Sequence, residues 1–108
     1  MAKRPTSFRL DNTTVKVRWN AKLGRAGKFP KAGDHDSKTD TISIAHGLTE
    51  RAQRGTLLHE LMHALWDKAK LQQFYSEVTE ETVVDSLSGW LLDSIQENPE
   101  LFDYLKEA

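Results

Sequence analysis

His59-Glu60-Leu61-Met62-His63 stands inside a long apolar run. Two imidazoles four residues apart lie about one turn apart on one side of a helix and can share one Zn²⁺. A Glu directly after the first His can take a proton from water at such a metal. Chance is a poor source for the pattern. With four His and eight Glu in 108 residues, about one shuffled chain in a hundred would contain it. The chemistry to be tested is therefore metal-dependent hydrolysis.

Placed on a helical wheel with His59 at zero, His63, Thr56, Asp67 and Glu60 fall within about 100° of one another. Leu57, Leu58, Leu61, Met62, Ala64, Leu65 and Trp66 fill the remaining arc of about 260°, which predicts a central helix with one narrow ionisable stripe. Polar groups buried without partners cost a few kcal/mol each, so the stripe needs a metal, a hydrogen-bond network or water. A solvated stripe is the bland alternative. The Glu after His59 favours the metal.

Two imidazoles rarely hold zinc alone; catalytic sites use three protein ligands and keep one position for water. On a second expected helix, Glu81 and Asp85 lie at the margin of an apolar face built from Val83, Val84, Leu87, Leu91, Leu92 and Ile95. Glu81 is the expected third ligand, and Asp85, one turn on, is expected to accept the second N–H of His59 and set its tautomer. Glu81 could instead answer the positive end of its helix. Glu77 and Glu80 are expected to do that, pointing elsewhere. Asp67 is a rival ligand, but His59, His63 and Asp67 climb about 12 Å along a straight helix and cannot all reach one ion.

The elements that must position these groups are legible in outline. Thr13 to Trp19 alternates with Val15, Val17 and Trp19 on one face, a half-buried strand. Ser7 to Leu10 can form a strand before it, with Asp11-Asn12 as the turn. Asn20 to Lys38 is rich in Gly, Pro and Lys and reads as a mobile loop. Asp40 to His46 alternates again, with Ile42 and Ile44 on one face, and predicts another strand. Gly47 breaks it, and Thr49 caps a helix from about Glu50 to Leu71. Ser76 caps a second, to about Gln96. Asn98-Pro99 stops that helix and opens a short last one through Leu105. The expected fold is α+β: a small antiparallel sheet of two to three N-terminal strands on two long helices, in a single domain over residues 1–108.

This pattern resembles the gluzincin metallopeptidases, the group that includes thermolysin. Their His-Glu-x-x-His helix is followed by a glutamate helix bearing Glu-x-x-x-Asp; here these are His59, Glu60 and His63, then Glu81 and Asp85. The strand Thr41–Ala45 and the small size are similar to the minigluzincins and to the ImmA/IrrE-type metallopeptidases common in phage and mobile elements. The resemblance covers about residues 33–95. It implies a zinc endopeptidase in which a strand borders the cleft and pairs with an extended peptide or protein substrate. Larger gluzincins add a domain supplying a Tyr and a His near the developing oxyanion. This chain has no room for it, and Tyr75 and His46 are the candidates to substitute. The metzincin extension is absent, since Ala69 stands ten residues after His59.

Composition narrows the alternatives. No cysteine means no disulfide and no thiolate zinc site. No apolar run approaches ~18 residues, so no membrane span is expected. The basic N-terminus leads into no hydrophobic stretch, which fits a cytoplasmic protein. A net charge of −1 gives no case for bulk nucleic-acid binding. The charge is uneven, however. Residues 1–48 hold ten Lys/Arg against four Asp/Glu, and residues 49–108 hold five against twelve. The halves can attract each other within one fold, or the basic half can recruit an acidic partner. Gly24-Arg25-Ala26-Gly27-Lys28 fails as a phosphate loop: Lys22 stands at the first Gly position and Phe29 follows the Lys. His35 between Asp34 and Asp36 reads as a surface loop, and Trp66 and Trp90 as core. Two further functions stay open: a zinc-holding regulatory or self-blocked module without turnover, and a helical interaction module without metal.

Overall fold

In the computed structural model, which describes residues 4–10, 12–26 and 29–107, the chain forms an α+β fold. Among these residues six strands, β1 (Ser7–Leu10), β2 (Thr13–Ala21), β3 (Arg25–Ala26), β4 (Phe29–Pro30), β5 (Gly33–Asp36) and β6 (Thr41–Ala45), precede three helices, α1 (Glu50–Lys68), α2 (Glu77–Glu97) and α3 (Pro99–Lys106). A 3₁₀ turn, Leu71–Gln73, joins α1 to α2. The expected Asp11-Asn12 turn falls partly outside the described residues, as do Gly27 and Lys28 of the glycine-rich loop.

The main sheet has four strands in the order β1-β2-β6-β5 and is mixed, because β2 and β6 run parallel. This corrects the expected antiparallel sheet of two to three strands. The physical reason is the crossover. The stretch expected to be a mobile loop returns the chain to the start of the sheet, forming the β3-β4 ribbon and then β5 on the way. β6 is interior and buried on both faces from Ile42 to Ala45. β5 is the edge.

The centre of the sheet is Val15, Val17, Ile42 and Ile44, with Leu48 and Leu57 packed on it from the helical side. Side chains two apart on a strand share a face, which is why these four meet. α1 packs across β5 and β6, and α2 packs on α1. Gly47, at φ +81, turns the chain from β6 into α1 in a conformation that favours glycine. The capping residues are those expected: the Thr49 and Ser76 side chains accept from the Ala52 and Thr79 amides. α1 ends at Lys68, three residues earlier than expected, where Lys70 adopts a left-handed conformation.

Two packing expectations are overturned. Trp90 is 75% exposed, because α2 covers α1 along one flank and no described element covers the flank bearing Trp90 and Leu87. His35 is not on a surface loop. It sits on β5 with its side chain 7% exposed, 3.7 Å from Asp40. Asp40 in turn takes Lys68 Nζ at 2.9 Å, tying the β5-β6 turn to the end of α1. No helix among the described residues is long and apolar enough to cross a membrane.

Candidate metal centre

α1 and α2 present their ionisable side chains to each other beside β5, along a cleft of about 1040 Å³. His59 and His63, one turn apart on α1, have their Nε2 atoms 3.3 Å apart. Glu81 reaches across from α2 and puts Oε1 2.8 Å from His63 Nε2. These three form the group of potential metal donors among the described residues, with ligand atoms within 4.8 Å of one another.

The other ring nitrogens decide what the convergence means. His63 Nδ1 lies 2.5 Å from Glu80 Oε2, and His59 Nδ1 lies 3.5 Å from Asp85 Oδ1. A carboxylate at Nδ1 favours the proton there. Both Nε2 atoms then carry lone pairs, aimed at each other and at a carboxylate oxygen. Three acceptors without a donor repel. A proton on His63 Nε2 serves one of the other two acceptors, whereas a divalent cation serves all three.

The spacing also suits a small tetrahedral ion, on which two imidazole nitrogens sit about 3.3–3.4 Å apart. Glu81 stands nearer to His63 than that, and would withdraw by about half an ångström. Its side chain is 57% exposed, so nothing packed opposes the shift. The donor set of two imidazoles and a carboxylate, with the cleft side open, matches zinc sites that keep a position for solvent or substrate.

Glu77 and Glu80, expected to point away and answer the helix dipole, both line the cleft, and the half-buried carboxylate of Glu80 holds His63. The signal was there: Glu80 stands four residues before the buried Val84 and seven before Leu87, so the wheel puts it inside the apolar face of α2, where a carboxylate needs a partner. Asp85 does face His59, though at 3.5 Å and largely exposed. Asp67 lines the cleft but stands outside the donor group. Neither oxyanion candidate reaches the site. Tyr75 is half exposed and its ring packs 5.8 Å from that of Trp66. His46 is exposed at the end of β6, where its amide bonds Ala21. Neither lines the cleft.

Glu60 is the buried member of the stripe, at 6% exposure. Its pKa is pushed up to about 7, chiefly by desolvation; His63 opposes the rise, Asp34 and Glu81 add to it, and Lys31 opposes it. Since the folded pKa exceeds the unfolded one, the group stabilises the fold fully below pH 4.5, and this contribution disappears as pH rises through about 7. The difference corresponds to about 3 kcal/mol. In metal-free protein, Glu60→Gln should therefore flatten the stability-pH curve between pH 4.5 and 8, as read by urea denaturation. An unchanged slope would assign the pH dependence elsewhere.

β5 leaves Glu60 its place by having no side chain opposite. A Cβ on Gly33 would lie 2.5 Å from Thr56 Cγ2 and 3.1 Å from Glu60 Oε2. Thr56 is β-branched and stiff in a helix, so Gly33→Ala should cost about 1–3 kcal/mol. Adding Thr56→Ser, which deletes the clashing methyl, should recover most of that loss in a thermal melt. If the double variant melts no higher than Gly33→Ala alone, the clash lies elsewhere.

The arrangement can thus bind a divalent cation beside a carboxylate poised to exchange protons near neutral pH. Comparison with known proteins finds no matching family model, no curated relative and no similar solved structure.

Proposed function

We propose that this protein is a zinc-dependent endopeptidase of gluzincin type, with His59, His63 and Glu81 as metal ligands and Glu60 as general base. The observation that carries this reading is the convergence of both Nε2 atoms and the Glu81 carboxylate next to a buried Glu60. A purely structural ion has no use for a base there, and a structural site is normally closed by four protein ligands.

Zinc bound by these residues would supply Lewis acidity, polarising a peptide carbonyl and acidifying water. Glu60 takes the proton of the attacking water as its oxygen bonds to the carbonyl carbon. When the C–N bond breaks, Glu60 returns that proton to the departing amine nitrogen. The pKa of about 7 belongs to the metal-free protein; a bound divalent cation would lower it and favour the ionised carboxylate that accepts the proton. Glu80 and Asp85 hold the imidazoles in the tautomer that turns Nε2 inward.

The resemblance implies a strand bordering the cleft, and Thr41–Ala45 is the strand that it covers. That strand is interior, and the strand beside the cleft is β5. An edge strand offers unpaired backbone groups to an extended peptide, so β5 is the substrate-pairing strand in this reading.

Digestion of a peptide library by zinc-loaded protein tests it. Cleavage that a chelator abolishes and zinc restores is expected. If wild type and Glu60→Gln both hold one zinc per chain and are equally inert, the protein is a metal-binding module without turnover.

A further inference from the structure

The cleft is not electrically uniform. Lys31 is the sole Lys or Arg among its described lining residues, against six carboxylates. Four of the six are committed. Asp34 is paired with Lys31 at 2.9 Å, Glu80 holds His63, and Glu81 and Glu60 face the cation and the reacting water in the proposed mechanism. Asp67 and Glu77 remain.

Those two lie at the same end. Asp67 follows His63 by one turn on α1, and Glu77 opens α2 one turn before Glu81. The 3₁₀ turn joining the helices places Gln72 beside them, donating to Asp67 at 3.4 Å. No basic residue lines this end. The positive end of α2, worth about half a charge, offsets only part of Glu77. The opposite end of the cleft is small and neutral, built by Ala32, Ala52, Gly55 and Ser88, with Lys31 at the rim.

We propose that the cleft selects extended peptides with a Lys or Arg side chain on the Asp67–Glu77 side and small uncharged residues on the other. This rests on the peptidase reading for its chemistry, not for its charge pattern. One helical turn beyond His63 is about 5–6 Å, so the basic residue falls roughly two positions from the bond that is cut. A long cationic side chain can lay its methylenes over the cleft wall and bring its head group to both carboxylates.

Matched peptides carrying Lys, Gln or Glu at each position around a common core provide the test. With zinc-loaded wild type, Lys should exceed Glu roughly tenfold in kcat/KM at one position on one side, and the ratio should shrink as salt is raised. In Asp67→Asn/Glu77→Gln the ratio should approach one. The same peptides are also titrated against zinc-loaded Glu60→Gln by fluorescence anisotropy, which needs no turnover. Cleavage without charge preference, or with preference for Glu, overturns this inference and leaves the peptidase standing. Tighter Lys binding that the double variant abolishes, together with an inert wild type, supports the charge selection and overturns the peptidase. Equal binding of Lys and Glu peptides overturns the selection whatever the wild type cleaves.

Discussion

Glu60→Gln should reduce peptide hydrolysis by roughly 10²–10⁴-fold while leaving the zinc content at one ion per chain. The amide is nearly isosteric with the carboxylate and fits the same space opposite Gly33, so the wall of the cleft survives. What is lost is the proton acceptor. The residue is 6% exposed, and few bulk water molecules can stand in for it. The loss should appear in kcat rather than KM, because Glu60 acts on the water and on the leaving group, not on the bound peptide. The buried carboxylate also implies a rising limb in the pH profile of metal-free Glu60 titration near pH 7, which proton-uptake measurements on the apoprotein would show and Glu60→Gln would lack. Retention of more than a tenth of wild-type turnover in Glu60→Gln would remove Glu60 from the mechanism.

His63→Ala should abolish stoichiometric zinc binding, and with it a large part of the thermal stability of the zinc-loaded protein. Zinc at a hundred times its Kd stabilises the fold by about 2.7 kcal/mol, which in a domain of this size raises Tm by on the order of 10 °C. Wild type should show that rise and His63→Ala should not. His63 is the most connected of the three donors: its Nε2 faces His59 and Glu81, and its Nδ1 is held by Glu80. The effect should therefore be graded. Glu80→Gln, which leaves all three donors in place but weakens the acceptor at Nδ1, should lower zinc affinity by about 10–100-fold. Zinc-induced shifts in Tm and competition with a chromophoric chelator would measure both. If Glu80→Gln binds zinc as wild type does, Glu80 merely contacts His63 and does not set its tautomer.

The helical half of the molecule was readable from the chain because its information is local. Thr49 and Ser76 as caps, Pro99 opening the last helix, and the pairing of His59 with His63 on one side of α1 each depend on spacing within one or two turns. The Glu81–Asp85 margin on α2 came from the same periodicity, and both residues do face the imidazoles.

Other features had no local signal. β5 reads Gly-Asp-His-Asp, with no apolar alternation, and it is a strand because its backbone pairs with β6. The parallel register of β2 on β6 depends on how a long crossover returns, which periodicity does not encode. For Glu80 the wheel did carry a signal, since it stands one turn before the buried Val84 on the apolar face; what periodicity on one helix does not give is that the crossing of α1 sets His63 opposite. Trp90 looked like core by its spacing, but hydrophobic spacing marks a face without saying whether anything covers it.

By itself, then, the sequence determined the chemistry available: which donors share a helix side, and that a carboxylate stands between two imidazoles. Only the tertiary structure decided which nitrogen of each imidazole faces inward, which strand borders the cleft and how deeply Glu60 is buried. These follow from contacts between elements far apart in the chain, whose geometry is set by packing α1 between the sheet and α2.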